Sequence, residues 1–199
     1  MPDIQVFLEP LENAISDLLI PAISDCVCNE NDRSIISLPT RHGGLDITNP
    51  CNVACLEFSS SVTVTAPLVD NIISQSHALP DENMVKTAKQ RARAERDQAA
   101  KEKFRNVKDN LPKETSRALD LAAEKGASTW LNVIPLKDLG FNLNKREFRD
   151  ALRLRYNWPF TDIPSKCVCG EDFSVEHAMI CRRGGFIIQR HDELRNLEA

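Results

Sequence analysis

The chain has 199 residues, of which 42% are hydrophobic and 27% charged, enough for one domain with a core or for two small ones. Its net charge of −4 averages unlike halves: residues 1 to 85 hold 12 Asp/Glu against 2 Lys/Arg, whereas residues 86 to 199 hold 17 against 23. This excludes a uniformly basic, histone-like protein and leaves a nucleic-acid partner open for the second half. No run reaches the roughly 18 apolar residues of a membrane span, and the first residues lack the basic start of a secretion signal. The expectation is an intracellular protein, of nucleus or cytoplasm, that does not enter a membrane.

Along the chain the pattern reads as mostly α, with a short irregular N-terminal part, a long basic helix, and a helical region carrying a small zinc-binding module. Apolar residues three to four apart over residues 11 to 20 suit a short amphipathic helix bounded by Pro10 and Pro21. Residues 34 to 49, with Pro39 and the Gly43-Gly44 pair, read as irregular chain with one short extended segment. Asn49-Pro50 then supplies an N-cap and a first-turn proline for a helix through Leu56. The β-branched run Val62 to Thr65 competes with its continuation to Ile73.

From Met84 to Val107 the chain is polar, free of Pro and Gly, and rich in helix formers. Residues 86 to 105 hold eight Lys/Arg against Glu95, Asp97 and Glu102, spread along about 30 Å if helical. Lys89, Arg93, Arg96, Lys101, Lys103 and Arg105 are the candidate contacts to DNA or RNA phosphates; the bland account is a solvated connecting helix, since no aromatic residues interleave to stack on bases. Pro112 opens the next helix, which packs Ala118, Leu119, Ala122 and Leu121 before Gly126 ends it. Residues 127 to 140 read as an apolar connection placing Trp130, Leu131, Ile134, Leu136 and Leu139 in the core. Asn144 and Glu147 form a capping box for a helix with Phe148, Ala151, Leu152 and Tyr156 on one side. Arg149 and Arg153 lie nearer the other, as phosphate contacts or as solubilising charges.

Among seven cysteines in a chain without a secretion signal, thiols or metal ligands are favoured over disulfides. Cys167, Cys169, His177 and Cys181 form C-x-C-x7-H-x3-C: two thiols on a turn loosened by Gly170, then His177 and Cys181 one helical turn apart behind a Ser174 cap. Three sulfurs and one imidazole can close a tetrahedral shell around Zn2+, leaving no position for water or substrate, so the metal would be structural. The single residue between the first two cysteines is shorter than usual, which leaves reduced core cysteines, or part of a larger site, as alternatives. Cys26, Cys28, Cys51 and Cys55 lack His partners, and His42 and His77 are not read as ligands. His191 and Glu193 sit in a helical pattern over Phe186 to Leu197 with no second carboxylate cluster, so no catalytic residue is assigned.

Several phrases together resemble a family of reverse-transcriptase-related open reading frames from retrotransposon-like mobile elements of animal genomes. They are LPTRHGGLDITNP at 38 to 50, TAPLV at 65 to 69, the basic stretch after Met84, RALDLAAEKGASTWLNVIPLKDLGFNLNKREFRDALRLRYNW at 117 to 158, CVCGEDFSVEHAMIC at 167 to 181 and GGFIIQRHDELRNL at 184 to 197. The likeness implies a region after the polymerase palm: a polymerase-end or thumb-like remainder at 1–83, a basic connector at 84–110, a helical region at 111–164, and at 165–199 a zinc-binding segment with the start of a truncated C-terminal domain. It makes Cys167, Cys169, His177 and Cys181 the zinc ligands and implies missing flanking polymerase and nuclease domains. His42 and Asp46 depart from the family pattern, where leucine and glycine are typical. No YxDD motif occurs, so the carboxylates of two-metal phosphoryl transfer are missing. The expectation is a non-catalytic fragment with a structural zinc site and possible backbone binding to DNA or RNA, its N-terminal portion poorly ordered where packing partners are missing. The alternatives are a helical interaction or scaffold domain and, less favoured, a metal-dependent endonuclease.

Overall fold

A computed structural model describes residues 4–76, 79–140, 142–160, 162–184 and 192. The fold is mostly α, and among the described residues the β pairing is a single isolated bridge between Lys166 and Asp172. The chain forms two compact units, Met1–Trp158 and Pro159–Ala199.

In the first unit, α1 (Ile4–Ala14) runs through a π-helical turn (Ile15–Leu19) into α2 (Ile20–Ser24). The prolines read as bounds therefore lie inside helical chain. Pro21 has no N–H, and its ring would meet the Asp17 carbonyl one α-turn back. The turn just before it is widened, with the Ile20 N–H bonding Ile15 O, which relieves that crowding. Helix α3 (Glu30–Ile36) starts on a capping box in which Asn29 accepts from the Asp32 N–H and the Asp32 carboxylate accepts from the Asn29 N–H. Residues 34–36 thus belong to a helix where the sequence reads as irregular chain, while from Ser37 to Asn49 the chain is irregular apart from the short 3-10 turn Thr40–His42.

Helix α4 (Pro50–Ile73) is capped by Asn49 as its sequence indicates and continues unbroken through Val62–Thr65. The Thr63 and Thr65 hydroxyls bond carbonyls four residues back, at Ser59 and Ser61, so their polar groups are satisfied within the helix itself. Helix α5 (Glu82–Asp109) follows an Asp81 cap. Its inward stripe of Val85, Ala88, Ala92, Ala99, Phe104 and Val107 is half alanine, so a helix with strongly polar composition still packs on α4.

Helices α6 (Lys113–Ala123) and α7 (Lys145–Tyr156) complete the unit. Helix α6 ends at Ala123, two residues before the expected stop, because Glu124 adopts an extended conformation; Leu121 points to solvent. In the segment between them Trp130 packs edge-on to Phe148, with ring centroids 5.9 Å apart, but Ile134, Leu136 and Leu139 are exposed and not part of the core. The capping box of α7 is present, with Asn144 Oδ1 accepting from the Arg146 and Glu147 N–H groups. Replacing Asn144 with alanine is expected to cost about 1 kcal/mol in equilibrium denaturation, since the Glu147 half of the box remains.

The core of the unit joins Ile35, Leu38, Leu119, Leu152 and Tyr156, with Phe104, Trp130, Phe148 and Trp158 around them. The Gly43-Gly44 pair sits in its middle. Gly43 has φ of 84°, and its carbonyl accepts from the Tyr156 hydroxyl at 3.0 Å and from Arg155 Nη2 at 3.0 Å. Arg155 also reaches the carbonyls of Ala122 and Ala127 and the Ser128 hydroxyl, tying the end of α6 to the glycine turn. Burial pushes the Tyr156 phenol up to about 12 despite the opposing Arg155, so it stays a neutral donor. Asp46 also adopts a left-handed conformation, with φ of 60°. His42 stacks on Phe104 at 5.2 Å and is held below the usual histidine range by burial and by Arg41 and Lys101, with Asp97 opposing.

Candidate metal centre

In the second unit, residues 165–181 fold as a turn and a short helix. The Gly170 N–H closes a turn onto Cys167 O at 2.9 Å, and Gly170 takes φ of 97°, a conformation open to glycine. The Cys167 N–H bonds Glu171 O and the Phe173 N–H bonds Ser165 O, so the two arms of the turn are held together on either side of the Lys166–Asp172 bridge. Ser174 Oγ then accepts from the His177 N–H at 3.0 Å and starts α8 (Val175–Ile180); the Cys181 N–H ends it on His177 O. The one-residue gap between Cys167 and Cys169 is workable because both lie on this tight turn, at its first and third positions.

The ligand atoms of Cys167, Cys169, His177 and Cys181 all lie within 4.8 Å of one another. Cys167 Sγ is 3.6 Å from Cys181 Sγ, and Cys169 Sγ is 3.2 Å from His177 Nε2. A zinc–sulfur bond of about 2.3 Å puts tetrahedral sulfurs about 3.7 Å apart, so the donors sit at metal-ligand spacing, while a disulfide would need about 2.0 Å. The Cys169 backbone N–H favours a Cys167 thiolate, but desolvation and the neighbouring Cys181 and Cys169 thiols outweigh it and hold the Cys167 pKa above the ordinary value. A divalent cation reverses that balance, because it stabilises the thiolates that otherwise repel one another. The cluster fits a structural Zn2+ site with a complete Cys3His shell.

The eight candidate nucleic-acid residues separate into two sets. Lys89, Arg93, Lys101 and Arg105 are exposed on α5 and have no ion pair among the described residues; Lys86 shares a face with Lys89 and Arg93 at helical spacing. The other four are engaged internally. Arg96 holds Glu57 of α4 through Nε and Nη2, and Lys103 is half-buried beside the Arg33–Glu12 pair, with its pKa lowered by desolvation and by Arg33. Arg149 and Arg153 are not on a solvent face: Arg149 Nη1 lies 3.1 Å and Arg153 Nη2 3.4 Å from the Asp25 carboxylate, and the Arg153 side chain is 7% exposed. Arg149 also donates to Ala22 O, so both arginines join α7 to the end of α2. Partners 39 and 128 residues away leave no local signal in the sequence.

His42 and the remaining cysteines stay outside the metal cluster, and no disulfide joins any of the described cysteines. Burial and the nearby Asp32 push the Cys28 thiol up to about 11, with Arg33 opposing, which marks it as unreactive. The helix read over Phe186 to Leu197, with His191 and Glu193, and also His77, lie outside the described residues, Asp192 excepted. No helix is long and apolar enough to cross a membrane among the described residues. Comparison of the chain with protein-family models, curated proteins and solved structures finds no match in any of the three.

Proposed function

We propose that the chain is a non-catalytic segment of a mobile-element reverse-transcriptase protein, with a structural zinc module and a basic helix that binds nucleic-acid backbone. The Cys3His cluster is the observation that carries this reading, because its four donors take metal-ligand spacing at the positions the family resemblance names. Further support comes from the glycine turn of residues 38 to 50, which packs against α6 and α7, the helices of the longest resembling phrase. The closed ligand shell gives zinc no open position for substrate, and the role assigned to it is to hold residues 165–181 in shape.

Backbone binding is assigned to Lys86, Lys89 and Arg93, together with Lys101 and Arg105. Fluorescence anisotropy with a labelled single-stranded or duplex oligonucleotide at 50 to 200 mM salt tests it. The intact chain is expected to lose affinity steeply with salt, and K86Q/K89Q/R93Q is expected to lower the magnitude of the log–log slope by about 2 to 3. The scaffold reading draws on the internal engagement of Arg96, Lys103, Arg149 and Arg153. Absence of binding at 50 mM salt selects it.

A further inference from the structure

Helices α4 and α5 and the turn at residues 37 to 48 border a cavity of about 700 Å3, a size that admits a small organic molecule. Val53, Leu56, Ala99 and Val107 give it an apolar lining, and the ion pairs Arg41–Asp97 and Arg96–Glu57 lie along its wall. The half-buried Lys103 side chain lines it as well, and neither the zinc module nor the exposed basic face of α5 uses that amine. Among the described residues Lys103 has no ion pair. The carboxylate beside it, Glu12 of α1, is already engaged: Oε1 accepts from Arg33 Nε at 2.6 Å and from Ser16 Oγ at 2.9 Å, and Oε2 accepts from Arg33 Nη2 at 2.7 Å. Arg33 is fixed in turn by donating to the carbonyls of Ile47 and Thr48. Glu102, the neighbour of Lys103 in sequence, accepts from Gln98 Nε2. The amine therefore stands beside a guanidinium that is held in place and a carboxylate that is already neutralised. Desolvation first, and then Arg33, hold its pKa below the ordinary lysine value, with Glu12 opposing. Burial beside a second cation is the setting in which a lysine becomes nucleophilic.

We propose that Lys103 is a reactive amine that takes up a small uncharged aldehyde in this cavity as an imine. The amine nitrogen adds to the carbonyl carbon, the carbinolamine loses water, and a C=N bond replaces the C=O bond, so that RNH2 and R′CHO give RN=CHR′ and H2O. No oxidant or reductant takes part. Charge selects an uncharged carbonyl compound over an anion: besides the two ion pairs, Lys103 and Arg93 are balanced in the lining by Asp46 and Glu102, which leaves no surplus positive charge to draw an anion in. The apolar residues of α4 and α5 suit an aryl or alkyl body behind the aldehyde carbon.

Reductive trapping with benzaldehyde and cyanoborohydride on the full, zinc-loaded chain near neutral pH, read residue by residue by peptide mass spectrometry, tests the assignment. Lys103 is expected to acquire the benzyl group several-fold faster than the exposed Lys86, Lys89 and Lys101, although it is the least accessible of the four. The advantage is expected to vanish in concentrated guanidinium chloride, where the cavity and the fixed Arg33 are lost. An aldehyde carried on dextran, too large for the cavity, is expected to reach the three exposed lysines and to spare Lys103. Arg33→Gln frees Glu12 to pair with the amine and is expected to remove most of the advantage, with the tryptophan-detected midpoint reporting whether the variant is folded; if it is not, the comparison of lysines within the unaltered chain decides. Labelling of Lys103 no faster than that of the exposed lysines, an advantage that survives denaturation, or one that a folded R33Q keeps, overturns the proposal.

Discussion

Replacing Gly44 with alanine is expected to destabilise the first unit by about 3 to 5 kcal/mol, which lowers its melting temperature by about 10 °C or leaves it unfolded. A Cβ at position 44 would stand 1.9 Å from the carbonyl oxygen of Leu38 and 2.7 Å from that of Ile35. Neither atom is the end of a flexible side chain. Both are backbone, and the chain around them is fixed by hydrogen bonds from the N–H groups of Gly44, Leu45 and Asp46 to the carbonyls of Pro39, Ile36 and Leu38. Room for the methyl group must therefore come from separating the 39–46 turn from the end of α3. That movement also withdraws Gly43 O from the Tyr156 hydroxyl and the Arg155 guanidinium and opens the packing on Leu119. Gly126→Ala is the matched control. It has positive φ but no atom within 4 Å of the added Cβ, so only the backbone strain of about 1 kcal/mol is expected there. Both tryptophans, Trp130 and Trp158, border this core, and the midpoint of a denaturation followed by their fluorescence reports the difference. Equal midpoints for the two variants would contradict the close approach at Gly44.

The helix starts at Asn49 and Asn144 are legible because capping is local: a short polar side chain meets an N–H two or three residues on. The metal ligands are legible for the same reason, since all four fall within fifteen consecutive residues. Long-range partners are not legible. Arg149 and Arg153 look like the outer face of an amphipathic helix until Asp25, in a left-handed conformation at the end of α2, is brought to them by the fold. Local propensity also misleads where packing is strong. The Val62–Thr65 run has β character, yet α4 is held as a helix by its contact with α1 and α5. In the same way, the irregular composition of residues 34 to 49 conceals a turn whose two glycines occupy the centre of the core, because the need for glycine arises from Ile35, Leu38 and Leu119 and is invisible in the turn itself.

Removal of zinc is expected to unfold residues 165–181 while leaving the first unit intact. Among the described residues of the second unit only Cys181, itself a ligand, is buried, so this segment has almost no apolar core to offset the entropy of ordering its chain. Its local hydrogen bonds close one turn and one helix of six residues, which is too short to persist alone. The free energy of metal binding is therefore the folding free energy of this segment. Fully reduced protein purified without a metal-binding tag should contain one zinc per chain by elemental analysis. A chelator, or Cys169→Ser, is expected to abolish hydrogen-exchange protection at the N–H groups of Cys167, Gly170, His177 and Cys181. The tryptophan-detected transition should not move, since both tryptophans belong to the first unit. Acid should act in the same direction as the chelator, because protons compete with the metal for three thiolates and one imidazole, and zinc release should rise as pH falls. Protection that persists in metal-free protein, or folded and reduced protein that contains no zinc, would show that the four donors are held together by packing alone.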